Sequence, residues 1–221
     1  MQSIMLDSLP YSVSADSLIK RISKGQKGKI SSRLKKQTKK ALEVLDEYTQ
    51  PRALYKVVEC ETKNCFDDDM FCDSKKVSQV FRGCEKAAVF LVTMGHKVDE
   101  LIKKYLVKRP AYGYILDTAA SMAAESAVES LEAVIEDKLP DDSGLTKRYS
   151  PGYCDWPLEG QKSLFDIIPY EKLDVTLGKN GYMVPRKSVS GIIGICPANS
   201  ADASGNACRY CAKKNCPYRR L

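Results

Sequence analysis

The sequence has little histidine and no nucleotide-binding fingerprint. His96 is the only histidine among 221 residues, which excludes a metal site built from several imidazole ligands. Neither a Ser-His-Asp set nor a Cys-His-Asn set can be assembled around it, so nucleophilic hydrolysis of that kind is not expected. The sequence contains neither GxGxxG after a strand nor GxxxxGKS, which excludes a dinucleotide fingerprint and a P-loop. A nucleotide-like ligand would need a different binding motif.

Long hydrophobic runs are absent as well. Because no stretch of about 18 apolar residues occurs, we expect neither a membrane-spanning helix nor a membrane partner. The first residues, MQSIMLDSLPYSVSADS, contain neither a basic region nor a continuous apolar core, so we expect no secretory signal. These absences predict a cytoplasmic protein.

Cysteine, in contrast, is plentiful, with nine residues in the chain. An odd number cannot all pair, and a reducing cytoplasm disfavours structural disulfides, so metal ligation is the leading interpretation. The formal net charge is +7, with basic residues concentrated between Lys20 and Lys40 and between Arg209 and Arg220. Such surfaces attract anionic cofactors, acidic proteins or nucleic acids. Without a recognised nucleic-acid motif, we expect no nucleic-acid partner.

Four cysteines near the C-terminal end follow the pattern C-x11-C-x2-C-x4-C-P. They are Cys196, Cys208, Cys211 and Cys216. Four thiolates can enclose either a tetrahedral zinc or an iron-sulfur cluster, and the Cys-Pro at the last ligand slightly favours a four-iron cluster. The alternative is four free surface thiols. An earlier set of cysteines at 60, 65, 72 and 84 is less persuasive, because Cys84 precedes an apolar strand and is more typical of a core residue.

The order of predicted elements indicates an α+β fold with a largely antiparallel, twisted sheet, since helices and strands mix without a regular βαβ rhythm. We expect a single domain over residues 1–195 and a Cys-rich metal-binding tail over 196–221. Helices are predicted over 30–49, 73–84, 97–108, 112–139 and 161–168. Strands are predicted over 53–60, 86–95, 174–177, 182–184 and 188–196.

The long predicted helix over 112–139 carries an acidic stripe. Glu125, Glu129, Glu132 and Glu136 fall at i, i+4, i+7 and i+11, so they share one face. The plainest interpretation of most of this stripe is a solvated face.

The segment RYSPGYCDW, residues 148–156, concentrates recognition chemistry on one bend. Pro151 and Gly152 suit the second and third positions of a type II turn, so the chain should reverse there. The reversal would place Arg148 and Tyr153 at the two mouths of the turn, where a planar guanidinium and an aromatic face could close on one small ligand. The alternative is a surface turn anchored by a buried Trp156.

The motif Arg148-x-x-x-Gly152-Tyr153, followed by WPL and then by MVPRKSVSGIIG, resembles the activation domain of vitamin B12-dependent methionine synthase. The resemblance is best over residues 117–195 and implies an S-adenosylmethionine site. It places the binding arginine of the family at Arg148, its turn glycine at Gly152, its tyrosine at Tyr153 and a glutamate of the preceding helix at Glu125. The methionyl carboxylate suits an arginine fork, while the ammonium and sulfonium suit a carboxylate and an aromatic face.

The resemblance also implies a function. In the family, S-adenosylmethionine remethylates a corrinoid whose cobalt has become inactive Co(II), after one electron has arrived. This chain lacks the DxHxxG corrinoid motif, so the cobalamin is expected on a partner, either a cobalamin-dependent methionine synthase or another corrinoid protein. A flavodoxin or ferredoxin is the expected electron donor. The chain would then be an activation component rather than a complete enzyme.

Two other functions stay open at this point. In the first, the cysteine tail holds an iron-sulfur cluster that transfers electrons to activate a corrinoid enzyme, and the RYSPGY turn is merely structural. In the second, the chain is a zinc-stabilised adaptor whose basic tail recognises an acidic partner.

Overall fold

A computed structural model describes residues 2–23, 30–59, 74, 77–78 and 81–198 of the chain. In chain order the elements are β1 (Ile4–Leu6), α1 (Ala15–Ile22), α2 (Ser32–Tyr48), β2 (Arg52–Glu59), β3 (Lys86–Thr93), α3 (His96–Lys108), α4 (Pro110–Glu136), β4 (Ser143–Leu145), α5 (Gln161–Ile167), β5 (Thr176–Leu177), β6 (Met183–Val184) and β7 (Ser188–Pro197). Within the described ranges, no helix combines the length and the apolar character needed to cross a membrane.

A five-stranded antiparallel sheet organises the fold, with strand order β1-β2-β3-β7-β4. The central strand β3 is buried from Ala87 to Thr93, because both of its faces are covered; this explains its continuous apolar run. β7 pairs with β3 along its length, from Lys86↔Ile195 to Thr93↔Ser188. The predicted α+β class with a largely antiparallel sheet is confirmed.

The sheet separates two hydrophobic cores, because successive side chains of a strand point to opposite faces. On one face, Phe90 and Ile193 pack against buried side chains of α1, α2, α3 and α4. On the other face, Leu91 packs with Trp156 and Phe165, which belong to the segment between β4 and β7. The helices therefore form one layer, and the segment that contains the RYSPGY turn forms the other.

The long helix α4 lies against the sheet and against α2 and α3. It has 27 residues and begins two residues before the predicted start, with Pro110 in the first turn, where a missing N–H is harmless. A row of small buried residues lets α4 approach its neighbours closely: Ala119, Ala120, Ala123, Ala124 and Ala127. At Gly113 a Cβ would lie 2.5 Å from the backbone nitrogen of Leu106, so only glycine permits this contact with the end of α3.

Two N-terminal elements, β1 and α1, were not predicted. β1 has three residues and α1 has eight, and segments this short depend on tertiary contacts rather than on their own periodicity. Ser14 caps α1 by accepting a hydrogen bond from the Ser17 N–H at 3.1 Å, and Leu18 fixes it to the core. The helix predicted over 73–84 lies mostly outside the described residues. His96, which lies just before the helix predicted over 97–108, is the first residue of α3.

Candidate functional site

The RYSPGY segment forms the turn that its sequence predicts. The Tyr153 N–H donates to the Ser150 carbonyl at 3.2 Å, which places Pro151 and Gly152 at the two central positions. Gly152 has φ of 87°, a value that glycine adopts without strain and that a type II turn requires at this position. The Gly152 N–H also donates to the Trp156 carbonyl at 2.9 Å. The type II turn is confirmed.

Tyr149 fixes the turn to the sheet. Its backbone exchanges two hydrogen bonds with Ile192 of β7, at 2.9 and 2.8 Å. Its ring is buried and stacks on Trp156, with centroids 6.1 Å apart. A Cβ at Gly191 would collide with the Tyr149 carbonyl, so the glycine of the SVSG motif is what permits this close approach. The two sequence motifs are therefore neighbours in space.

Arg148 lies in a cluster of glutamates on α4. Its side chain is 7% exposed, Nη1 donates to Glu132 Oε2 at 2.7 Å, and Nη2 donates to Glu125 Oε2 at 2.7 Å. Glu129 Oε1 is 3.9 Å from Nη2. Burial by itself lowers the pKa of Arg148, but Glu132 and Glu125 outweigh burial and hold that pKa above its ordinary value. The guanidinium therefore stays charged.

The structure thus brings Arg148 and Glu125 together, although they are 23 positions apart in sequence. The interpretation of the stripe as a solvated face is wrong for Glu132, whose side chain is 23% exposed, because a guanidinium from a distant segment covers it. The interpretation as a solvated face fits Glu136, which is exposed. Glu132 lies two helical turns from Glu125 on the same face of α4. This i+7 spacing was the signal that could have identified Glu132 as a second partner of Arg148.

Lys187 is a site residue that sequence reasoning missed. Its Nζ is 2.8 Å from Asp117 Oδ1 and donates to Ser121 Oγ at 2.8 Å, and its side chain is 12% exposed. Asp117, Ser121 and Glu125 fall at i, i+4 and i+8, so they share the face of α4 that Arg148 contacts. Each of the two sequence motifs therefore supplies one cation to the same helix face. The four-residue spacing of these polar side chains was the available signal.

Tyr153 and a second tyrosine, Tyr182, both follow glycines that lie close to one leucine. Tyr153 is 45% exposed and Tyr182 is 64% exposed. Each follows a glycine with positive φ, and both glycines contact Leu158: a Cβ would lie 3.5 Å from Leu158 Cδ1 at Gly152 and 3.1 Å from Leu158 Cγ at Gly181. The turn and the β5–β6 hairpin therefore both approach Leu158, and each carries a tyrosine that is exposed to solvent.

The predicted cysteine site falls largely outside the described residues, which do not include Cys208, Cys211 or Cys216. Cys196 is a residue of β7, is 2% exposed, and forms a disulfide with Cys84, whose buried, core-like position is confirmed. This disulfide was not expected; it forms because neighbouring antiparallel strands place the two Cα atoms 4.1 Å apart. No group of three or more potential metal ligands occurs within the part of the chain that the structure describes. The metal site stays a prediction.

Comparisons with known proteins find a matching family and a similar fold. Residues 15–203 match the model of a family described as the vitamin B12 dependent methionine synthase activation domain. The fold is similar to the crystal structure of the MetH reactivation domain bound to AdoHcy, with a TM-score of 0.60 and 13% sequence identity, over 90% of this chain and 80% of that chain. No curated protein sequence matches the chain.

Proposed function

Because the chain belongs to the family of vitamin B12-dependent methionine synthase activation domains, we propose that it binds S-adenosylmethionine and supports reductive methylation of cobalamin carried by a separate protein. One observation carries this proposal. Arg148 and Glu125, which the sequence motifs assign to ligand binding, meet at 2.7 Å from segments 23 positions apart. A solved relative in fold is described as a reactivation domain bound to AdoHcy, the demethylated form of this ligand, which supports the proposal.

The residues at the site suit the proposed ligand. A guanidinium has five N–H donors, and the two hydrogen bonds to Glu125 and Glu132 leave Arg148 with further donors for a methionyl carboxylate. The ligand ammonium and sulfonium suit Glu125 and the exposed face of Tyr153. Each charge-assisted contact is worth roughly 1.5–3 kcal/mol.

The chain would act by presenting the methyl donor to the corrinoid of its partner. One electron from a separate reductant converts Co(II) to Co(I), whose electron pair then attacks the methyl carbon. The sulfur–carbon bond breaks, its electron pair stays on sulfur, and a cobalt–carbon bond forms. We propose a cobalamin-dependent methionine synthase or a related corrinoid protein as the partner, a flavodoxin or ferredoxin as the reductant, and the cytoplasm as the location.

Calorimetric titration of S-adenosylmethionine into the full chain tests the proposal. We expect binding by the parent protein and a dissociation constant about one to two orders of magnitude higher in Arg148→Ala, because one charge-assisted contact is lost. Lys147→Ala is the matched control, since it removes the same charge from the neighbouring exposed position and should bind like the parent. Arg148→Lys keeps a positive charge among the glutamates. It therefore provides a second variant that lacks the guanidinium but is less prone to a folding defect.

Unchanged affinity in both Arg148 variants, with folds verified by circular dichroism, would remove Arg148 from the site. Absence of any binding by the parent would overturn the proposed function. A coloured protein with an iron-sulfur signal but without such binding would favour the electron-transfer function instead.

We propose in addition that residues 196–221 form a metal-binding tail. The spacing of Cys196, Cys208, Cys211 and Cys216 supports an iron-sulfur cluster or zinc, and a cluster could deliver the electron for reductive methylation. Because metal ligation requires a thiolate, Cys196 must first be released from its disulfide with Cys84 by a reducing environment. Metal analysis of anaerobically purified protein tests this: Cys208→Ser should lose the metal, and Cys154→Ser should retain it.

A further inference from the structure

We propose that the glutamates around Arg148 make the site select the positively charged methyl donor over its neutral demethylated product, with Glu129 and Glu132 as specificity-determining residues. This inference rests on the proposed function, since it concerns the same site. It extends that function by stating which side chains distinguish the two forms of the ligand and how they do so.

The charges on the helix face do not cancel. Arg148 supplies one positive charge, whereas Glu129 and Glu132 alone supply two negative charges, at 3.9 and 2.7 Å from its guanidinium nitrogens. Lys187, a second cation on this face, is engaged by Asp117 at 2.8 Å, so that pair is neutral by itself. Among the described residues, Arg148, Glu129 and Glu132 together therefore carry a formal charge of about −1, before Glu125 is counted.

The carboxylates that carry the excess charge are accessible to a ligand. The side chains of Glu125 and Glu129 are 38% and 64% exposed, and that of Glu132 is 23% exposed. Arg148 itself is 7% exposed, and its guanidinium contacts these carboxylates. A ligand that reaches Arg148 must pass close to at least one of them.

The two ligands differ by one charge at their sulfur atom. S-adenosylmethionine carries a sulfonium in addition to its balanced ammonium and carboxylate, whereas S-adenosylhomocysteine has an uncharged thioether there. Only the methyl donor gains electrostatic attraction from an environment of net negative charge. We expect at least a tenfold preference, which corresponds to about 1.4 kcal/mol, because a single unit charge about 4 Å away contributes on this scale even near a solvated surface.

The preference has a direct use in methyl transfer. When the methyl group leaves, sulfur retains the electron pair of the broken bond and the sulfonium charge disappears. The same glutamates then lose their attraction to the sulfur end of the ligand, although the ammonium of the product remains. The product therefore dissociates more readily, and accumulated product competes poorly with fresh donor for the site.

Titration of both ligands into the full chain and three glutamine variants tests this inference. Glu132→Gln and Glu129→Gln remove one charge each while keeping an amide oxygen that can still accept from Arg148. Each should lower the donor-to-product preference by about threefold or more, by weakening S-adenosylmethionine and leaving S-adenosylhomocysteine within about twofold of the parent. Glu136→Gln is the matched control, because this exposed residue belongs to the same stripe and lies one to two turns beyond the cluster; it should retain the preference of the parent.

Sinefungin carries a protonated amine in place of the methyl sulfonium. It therefore tests whether the positive charge, rather than the methyl group, produces the preference. It should follow S-adenosylmethionine through all variants. Equal affinity of the parent for donor and product, or equal weakening of both in the glutamine variants, would overturn the inference and leave the proposed function intact. Absence of binding by either ligand would overturn both.

Discussion

Tyr11 shows how one side chain joins the N-terminal segment to the body of the protein. Its hydroxyl donates to Asp46 Oδ1 at 2.8 Å and lies 2.9 Å from Thr49 Oγ1, at the end of α2. Burial, together with the neighbouring Asp46 carboxylate, raises the pKa of Tyr11 from 10.0 to about 12. The folded protein therefore favours the neutral phenol more strongly than the unfolded chain does.

This pKa shift predicts how stability depends on pH. The stabilising contribution is complete below pH 10, where Tyr11 is protonated in both states, and it is lost as the pH rises from about 10 to about 12. Tyr11→Phe should be less stable than the parent at pH 8, because the hydrogen bond to Asp46 is gone. The difference between the two proteins should narrow across that alkaline window. Denaturant unfolding at a series of pH values checks this, and a constant difference would contradict it.

The sequence predicted those elements of the candidate site whose structure depends on local backbone preferences. The Pro151–Gly152 pair dictates a type II turn by its own backbone preferences, and the length of α4 follows from its periodicity. The partners of Arg148 were only half predictable. Glu125 was assigned through the resemblance to the activation-domain family, whereas Glu132 and the pairing of Lys187 depend on how a segment from one layer meets a helix in the other. The helical spacing marks the face of α4 that takes part in such a pairing, but no local pattern identifies the cation that reaches it. β1 and α1 were missed because they too depend on tertiary contacts.

The strand β7 offers a test of how the turn is held. Gly191→Ala should reduce the free energy of unfolding by about 1–3 kcal/mol, because the new Cβ would meet the Tyr149 carbonyl and lie 2.9 Å from Ser150 Oγ. The displaced turn should also weaken S-adenosylmethionine binding. Gly178→Ala is the control: there a Cβ would meet its nearest atom, the Tyr182 carbonyl, at 3.4 Å, so a change within roughly 0.5 kcal/mol is expected. Urea unfolding measures both, and equal effects would contradict the assignment.

On the scale of the whole molecule, the Cys84–Cys196 disulfide joins positions 112 residues apart. A cross-link of that separation restricts the unfolded chain and, in the chain-entropy model, contributes on the order of 4 kcal/mol. The same bond occupies the first of the four predicted metal ligands. Oxidation state should therefore set both the stability of the sheet and the metal content of the tail.

We expect the oxidised protein to melt at a higher temperature than the protein in reductant without metal. Cys84→Ser should melt at the same temperature with and without reductant, because no disulfide can form at that position. Cys154→Ser, which changes an exposed cysteine, should keep the parental difference. Thermal unfolding with quantification of free thiols checks the three proteins; a parental difference that persists in Cys84→Ser would contradict the prediction.

Arg148 and Lys187 lie near the two ends of the segment that covers one face of the sheet, and both bind α4 on the other face. The two layers are consequently tied together at two points along a single helix. A small shift of α4 along its axis would move both cations at once, and with them the turn and the hairpin that carry Tyr153 and Tyr182. The buried alanines let α4 pack closely against its neighbours, so a larger side chain in that row should alter the spacing of both ion pairs and, with it, the affinity for the proposed ligand.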